Sequence, residues 1–121
     1  MFKSHKPEYK DGEQKRDFIY VKDALEIVWY FIDNPQKAGI FNVGTGRAHT
    51  WNELALALFS ALKIKPNIEY IDMPANIKDQ YQYFTEADLR KLRDTGCSCE
   101  FNNLKDAISD YVEYLEQGIY L

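Results

Sequence analysis

One nine-residue stretch, residues 15–23, constrains the fold more than any other part of the sequence. Its middle, residues 18–21, is aromatic and β-branched, a composition that predicts a short buried strand. Asp23 is a residue type that ends strands and caps helices, and an apolar helical pattern begins at Ala24. The stretch therefore predicts a strand-to-helix unit. Arg16, at the start of the strand, carries five donors in a planar fork that suits a phosphate pair.

The rest of the chain alternates extended and helical patterns. Strands are predicted at residues 40–43 and 68–71. A helix is predicted over residues 51–62, and a Thr50/Glu53 capping box marks its start. Two more helices are predicted, one between Thr85 and Gly96 and one after Asn103. The fold class is thus mixed α/β, with three or four short strands and about four helices in one domain of 121 residues.

Three of the helices carry an apolar stripe at three- and four-residue steps, which predicts the side chains that face inward. In the helix over residues 51–62 the stripe consists of Leu54, Ala55, Leu58 and Leu62. The first helix is expected to end at Asn34-Pro35. The predicted inward residues are Ala24, Leu25, Val28, Trp29 and Ile32 in the first helix and Ala107, Ile108, Tyr111, Val112 and Leu115 in the last.

Charge and composition narrow the classes of partner. The net charge is −4 and no basic stripe occurs, which argues against a nucleic-acid partner. No apolar run is long enough for a membrane helix and no signal peptide is present, so we expect no membrane partner and a cytoplasmic location. Cys97 and Cys99 lack further ligands nearby, which predicts reduced thiols and no metal site.

The segment from Gly44 to His49 resembles half of a dinucleotide-binding fingerprint. A predicted strand runs into glycines at 44 and 46, but the third glycine position is occupied by His49. We interpret the segment as a tight turn in which glycine permits positive φ. No nucleophile–base pair, nucleophile elbow or acid/base carboxylate pair stands out, so no residue is predicted to be catalytic.

Four motifs, taken together in their order and spacing, resemble the C-terminal half of the extended short-chain dehydrogenase/reductase enzymes, a superfamily of nucleotide-sugar epimerases and dehydratases. RDFIYVKD and GIFNVGTG are shared widely across that superfamily. IEYIDMP and YQYFTEADL, together with the opening FKSH, are more specific and resemble the ADP-heptose 6-epimerases. The four motifs occupy residues 16–23, 39–46, 68–74 and 81–89, and the opening FKSH occupies residues 2–5.

The resemblance implies a substrate-binding role for six residues. Phe2, Lys3, Ser4 and His5 fall on the segment that wraps the ADP-sugar, partly through backbone groups. Arg16 falls on the arginine that grips the diphosphate, and Tyr81 on the tyrosine that reaches the diphosphate or the sugar. The implied partner is an ADP-sugar.

The cofactor loop and the catalytic Tyr-x-x-x-Lys of these enzymes have no counterpart in the sequence, since none of its nine tyrosines is followed by lysine four positions on. The resemblance therefore implies that residues 1–121 are a C-terminal substrate-binding portion, without the N-terminal Rossmann domain that binds NADP. In the intact enzyme, a homo-oligomer, C6″ of the heptose would be oxidised and then reduced on the opposite face, and the product would feed the lipopolysaccharide core. The isolated chain is expected to be inactive, and its lobe, which packs on the cofactor domain in these enzymes, is expected to expose apolar surface.

Two alternatives remain open from the sequence. The chain could belong to another nucleotide-sugar epimerase or dehydratase, such as one that acts on a UDP-sugar. It could also be a stand-alone module that binds without catalysing a reaction.

Overall fold

The computed structural model describes residues 1–119, which contain five α-helices and a two-stranded sheet. The predicted mixed α/β class is therefore confirmed. The strands are β1 (Lys15–Arg16) and β2 (His49–Thr50), and a 3-10 turn covers Pro35–Lys37. The helices are α1 (Val21–Asp33), α2 (Trp51–Ala61), α3 (Ala75–Lys78), α4 (Arg90–Asp94) and α5 (Leu104–Gln117).

The extended backbone gathers around β1. This strand pairs antiparallel with β2, placing Lys15 opposite Thr50 and Arg16 opposite His49. On its other side Lys15 bridges to Phe84, and the N-terminal segment is joined to residues 68–71 through a parallel bridge from Phe2 to Ile71. Segments distant in sequence, near residues 2, 15, 50, 71 and 84, are thereby brought to one side of the molecule.

Two of the predicted strand positions are wrong, and the third, residues 68–71, is borne out only in part. Residues 18–20 and 40–43 form no ladder with any described residue, and in the segment 68–71 the bridge involves Ile71 alone. Strand propensity reports how well a side chain fits a paired, half-buried surface, so it is realised where a partner strand lies alongside. Ile40 is 88% exposed, whereas Phe41 stacks on Phe31 with ring centroids 4.7 Å apart, so side-chain packing rather than strand pairing holds this segment.

Helix α1 begins at Val21, with Tyr20 as its N-cap, so the prediction that Asp23 caps it is wrong. Asp23 lies in the first turn, is only 4% exposed, and accepts hydrogen bonds from the Asn102 backbone N–H (3.0 Å) and side-chain amide (2.6 Å). The carboxylate thus ties α1 to the segment that leads into α5. A buried carboxylate requires such partners, and these outweigh the local preference for capping.

The apolar stripe predicted to face inward from α1 faces outward. Ile27, 2% exposed, instead packs into a core with Leu92 and Cys97, and Phe31 packs against the same cluster. The pattern was ambiguous because this helix is apolar on more than one face, and a period alone does not say which face is covered. Four residues of the predicted stripe are half or more exposed: Leu25 at 50%, Val28 at 52%, Trp29 at 59% and Ile32 at 57%.

We expect this exposed stripe to make the isolated chain self-associate, since contiguous apolar patches on a monomer favour association. The double variant Val28→Lys/Ile32→Lys should shift the chain toward monomer in analytical ultracentrifugation, with little change in melting temperature because both side chains are exposed. Glu26→Lys on the same helix is the control, because it makes the same change in net charge without altering apolar area. Equal self-association of the double variant and the wild-type chain would contradict this expectation.

The starts of α2 and α5 are as predicted. Thr50 and Glu53 form a reciprocal capping box, in which Thr50 Oγ1 accepts from the Glu53 N–H at 3.0 Å. The side chain of Asn103 caps α5 by accepting from the Asp106 N–H at 3.0 Å. Helices α2 and α5 then pack against each other, with Ala107 and Val112 of α5 buried.

Two details of the later helices differ from prediction. Helix α4 begins at Arg90, so the prediction that Thr85 caps it is wrong. The carboxylate of Asp88 instead accepts a hydrogen bond from the Arg90 N–H. Along α5, Tyr111 and Leu115 of the predicted inward stripe are 45% and 53% exposed. The buried face of α5 is therefore narrower than its apolar pattern predicted.

Candidate functional site

Arg16 and Tyr81, 65 positions apart in the chain, meet at the edge of the sheet. The guanidinium carbon of Arg16 lies 5.1 Å from the centroid of the Tyr81 ring, a cation–π contact. The guanidinium also donates to the carbonyl oxygens of Lys15 (2.8 Å) and Gln82. These bonds orient the guanidinium and use two of its five N–H groups, which leaves three donors for a ligand.

A pocket of about 370 Å³ opens beside this pair. Phe2 and Tyr81 form part of its wall, with ring centroids 6.3 Å apart and ring planes nearly perpendicular. Its volume and mainly apolar lining are typical of small-molecule sites. The full set of lining residues is Met1, Phe2, Gln14, Trp51, Ile71 and Tyr81.

Ser4 and His5 converge on the hydroxyl group of Tyr83. The backbone N–H of His5 donates to this oxygen at 2.8 Å, Nδ1 of His5 lies 2.9 Å from it, and Ser4 Oγ lies 3.3 Å from it. The rings of His5 and Tyr83 are in edge-on contact at 5.1 Å. Tyr83 in turn contacts Tyr81 edge-on at 5.5 Å, so one aromatic cluster joins the N-terminal loop to the Arg16 side of the site.

Lys3 stands apart from the other five predicted residues. Its backbone N–H donates to the carbonyl of Ile71 at 2.8 Å, but its ammonium group forms an exposed ion pair with Asp72 at 3.1 Å. The structure therefore brings Phe2, Ser4, His5, Arg16 and Tyr81 to one aromatic cluster. Lys3 contributes a backbone hydrogen bond to this region, while its ammonium group is paired with Asp72.

Three residues of this region were missed in the sequence. Tyr83 is 5% exposed and forms the centre of the aromatic cluster; its alternation with Tyr81 was a usable signal, because alternate residues of an extended segment differ in environment. Gln14 and Trp51 line the pocket, and each is unremarkable in its local sequence. Only the pairing of β1 with β2 brings them together.

The glycine segment is a turn built around a carboxylate. Asp17 accepts four hydrogen bonds, from the N–H (2.7 Å) and hydroxyl (2.6 Å) of Thr45 and from the N–H groups of Gly46 (2.9 Å) and Ala87 (3.0 Å). Burial raises the pKa of Asp17, but these hydrogen bonds outweigh it and hold the pKa below the ordinary value. Gly46 has φ +70°, which confirms the interpretation of a turn that needs positive φ.

Gly44 is required for a different reason, the close approach of Asp17. A Cβ atom at Gly44 would lie 2.5 Å from Oδ2 of Asp17 and 2.6 Å from Cβ of Ala87. The loop amides at residues 45 and 46 are therefore directed at a carboxylate of the same chain. A dinucleotide pyrophosphate would need those donors, so this loop does not fit one.

The two cysteines are free thiols whose sulfur atoms lie 3.0 Å apart in the loop after α4. Burial, and then the neighbouring Cys97 thiol, raise the pKa of Cys99 to about 11, so this thiol is protonated at neutral pH. Among residues 1–119, no group of three or more His, Cys, Asp or Glu side chains could hold a metal ion. No helix in the same range is long and apolar enough to cross a membrane.

Residues 3–44 match the NAD dependent epimerase/dehydratase family. An ADP-L-glycero-D-manno-heptose-6-epimerase of Nitratidesulfovibrio vulgaris is 53% identical over 116 residues, which are 95% of this chain and 36% of that protein. An enzyme of the same name from Fusobacterium nucleatum is 41% identical over 119 residues, again 36% of its length. The chain thus spans about a third of the length of the curated relatives that it matches.

A solved structure shares the fold. It is a UDP-N-acetylglucosamine 4-epimerase from Methanobrevibacter ruminantium M1, in complex with UDP-N-acetylmuramic acid, and it superposes with a TM-score of 0.75 at 23% identity. The superposition covers 92% of this chain and 34% of that one. These similarities agree with the family resemblance found in the sequence: residues 3–44 match the NAD dependent epimerase/dehydratase family, and the chain is similar to a segment of about a third of an ADP-L-glycero-D-manno-heptose-6-epimerase.

Proposed function

We propose that this chain is the C-terminal, substrate-binding portion of an NADP-dependent epimerase that interconverts ADP-D-glycero-D-manno-heptose and ADP-L-glycero-D-manno-heptose for synthesis of the lipopolysaccharide core. The observation that carries the proposal is the guanidinium of Arg16, held over Tyr81, a residue that itself lines an aromatic pocket. The names of the relatives at 41–53% identity supply the substrate class.

The share of this chain in the reaction is recognition and orientation. Arg16 would form charge-assisted hydrogen bonds to the diphosphate, and Tyr81 would fix the position of the guanidinium and contact the substrate. Ser4 and His5, anchored on Tyr83, would close over the substrate through the N-terminal loop. Holding the sugar nucleotide in one geometry lowers the barrier to a reaction whose redox chemistry is carried out elsewhere.

The residues present do not fit the cofactor. The loop that most resembles a dinucleotide site has its amides occupied by Asp17, so NADP would be held by a part of the enzyme outside this chain. The exposed stripe on α1 and the exposed Ile40 are surfaces on which that part would pack. In the proposed intact enzyme, the protein is a cytoplasmic homo-oligomer.

The proposal predicts that the 121-residue chain binds ADP but produces no epimerised product. The chain would be incubated with NADP and ADP-heptose, and the C6″ configuration of the sugar would be followed by proton NMR. An unchanged spectrum together with ADP binding is expected, because the catalytic tyrosine and lysine of the superfamily have no counterpart here. Epimerisation by the isolated chain would contradict the assignment of the redox chemistry to another domain.

A UDP-sugar enzyme is the competing assignment, since the solved structure with this fold is named as one. Competition between ADP and UDP, followed by ligand-observed NMR, separates the two. Displacement of UDP by a smaller concentration of ADP supports the ADP-heptose assignment. Tighter binding of UDP than of ADP would instead favour the assignment to a UDP-sugar epimerase or dehydratase.

A further inference from the structure

The hydroxyl group of Tyr83 lies at the centre of a small proton network in the N-terminal loop. Its oxygen accepts from the backbone N–H of His5 at 2.8 Å, and it lies 2.9 Å from Nδ1 of His5 and 3.3 Å from Oγ of Ser4. Tyr83 is only 5% exposed, so its O–H proton needs an acceptor inside the protein. Within residues 1–119, Nδ1 of His5 and Oγ of Ser4 are the acceptors in reach.

The protons of this network can be counted, and the count assigns the Tyr83 proton. Oγ of Ser4 donates its single proton to the carbonyl oxygen of Lys6 at 2.8 Å, so it has none to give to Tyr83. The 3.3 Å separation from Oγ is also long for a bond donated by Tyr83, because O–H···O bonds normally span about 2.5–3.0 Å. The 2.9 Å contact with Nδ1 of His5 has ordinary hydrogen-bond length, so the hydroxyl donates to this nitrogen.

An acceptor at Nδ1 determines the tautomer of the His5 ring. A neutral imidazole has one nitrogen that donates and one that accepts. If Nδ1 accepts from Tyr83, the proton of the ring is on Nε2. The hydrogen bonds of the His5 ring within residues 1–119 all involve Nδ1, so the Nε2–H group is available to a ligand.

The surroundings of His5 suit an anionic acceptor. Lys6 and Lys10 line the same surface hollow as His5, and the ammonium group of Lys6 lies 4.9 Å from the centroid of the Tyr83 ring. The carboxylate in this hollow, Asp11, already accepts from the backbone N–H of Ser4 at 2.7 Å. Two ammonium groups beside an N–H donor favour a negatively charged oxygen such as that of a phosphate.

We propose that Tyr83 is a positioning residue that holds His5 in the Nε2–H tautomer, so that His5 donates a hydrogen bond to the diphosphate of the nucleotide; the inference rests on the proposed ADP-sugar substrate. Tyr83 acts through His5 and does not itself contact the ligand. Its ring touches Tyr81 edge-on at 5.5 Å, and Tyr81 lies under the guanidinium of Arg16. His5 and Arg16 thus act on the diphosphate from two parts of one aromatic cluster.

Nitrogen-15 NMR of the full 121-residue chain tests the tautomer without any ligand. The sequence has two histidines, so His49→Gln identifies the ring signals of His5. At a pH where imidazole is neutral, we expect a protonated Nε2 and an unprotonated Nδ1. Tyr83→Phe removes only the hydroxyl group and should give a mixture of tautomers. Tyr9→Phe is the control, because it removes a hydroxyl from a ring 4.8 Å from that of Tyr83 and should leave the His5 signals unchanged.

Calorimetric titrations with ADP and with inorganic pyrophosphate test the contact with the diphosphate. We expect Tyr83→Phe to weaken the binding of each about three- to tenfold, and Tyr9→Phe to leave both unchanged. The amide nitrogen of glutamine reaches about as far as Nε2 of histidine, whereas that of asparagine reaches only as far as Nδ1. His5→Gln should therefore bind ADP more tightly than His5→Asn. Adding Tyr83→Phe to His5→Asn should cause no further loss, because Tyr83 acts through His5.

The outcomes separate this inference from the proposed function. The inference is wrong if Nδ1 carries the proton, if Tyr83→Phe leaves the tautomer unchanged, if His5→Gln binds no better than His5→Asn, or if the double variant loses further affinity. In those cases the diphosphate contact of Arg16 stands. If neither ADP nor pyrophosphate binds, the proposed function is overturned, and this inference with it. Should melting temperatures show that Tyr83→Phe fails to fold, the wild-type tautomer and the two His5 variants decide.

Discussion

Replacing Arg16 with alanine should weaken the binding of ADP to this chain by roughly 1.5–3 kcal/mol, the contribution of charge-assisted hydrogen bonds. This corresponds to a loss of about tenfold to 150-fold in affinity at 25 °C, measured by isothermal titration calorimetry. Pyrophosphate binding should fall in parallel, because the fork is expected to contact the diphosphate. The substitution also removes the cation–π contact with Tyr81, but it leaves the aromatic cluster around Tyr83 intact.

Two control variants sharpen this result. Arg16→Lys keeps the charge but loses the planar fork, so we expect an affinity between those of the wild-type chain and Arg16→Ala. Arg47→Ala removes an exposed guanidinium from the wall of a different pocket, near Phe101, and should leave ADP binding unchanged. Equal losses for Arg16→Ala and Arg47→Ala would indicate a general effect of net charge and remove Arg16 from the site.

The second large effect is on stability, through the carboxylate of Asp17. Asp17→Ala should lower the free energy of unfolding by about 3 kcal/mol, because it leaves the backbone N–H groups of Thr45, Gly46 and Ala87 without their acceptor. Gly44→Ala should lower it by about 1–3 kcal/mol through the clash with the same carboxylate. Urea denaturation followed by circular dichroism measures both.

The pH dependence of stability provides a check on this account. Because the pKa of Asp17 is lower in the folded state, its contribution is fully present above about pH 4 and is lost as the pH falls through the lower, folded-state value. Asp17→Asn should therefore lose less stability than the wild-type chain on acidification. Some acid sensitivity remains, because Glu53 and Asp110 also have lowered pKa values. A variant as acid-sensitive as the wild-type chain would contradict the role given to Asp17.

Features governed by local sequence were predictable. The Thr50/Glu53 capping box and the Asn103 cap form within four residues of chain, so the sequence specifies them without reference to the rest of the fold. Features that depend on a distant partner were not predictable. Residues 40–43 have strand composition, yet no described residue pairs with them, and Asp23 is directed toward Asn102, 79 positions away.

The candidate site divides in the same way. Phe2, Ser4, His5, Arg16 and Tyr81 were named because their motifs resemble those of a family, and the structure places them at one cluster. The proximity of Gln14 and Trp51 follows from the antiparallel register of β1 and β2. Strands of two residues are too short to be recognised in the sequence, so this register was not predictable. The buried face of α1 was also hidden, because the residues that decide it, Leu92 and Cys97, come 65 or more positions later.

The central claim is that the nucleotide binds beside Arg16 and Tyr81. Its most direct test is to titrate the isotope-labelled chain with ADP and follow the assigned chemical shifts by heteronuclear NMR. The account predicts that the largest shifts occur at the Nε–H of Arg16 and at the rings of Phe2 and Tyr81, with smaller shifts along residues 3–5. If the largest shifts instead cluster at Arg47, Arg93 and the residues around Phe101, the nucleotide binds in the other pocket and the claim is contradicted.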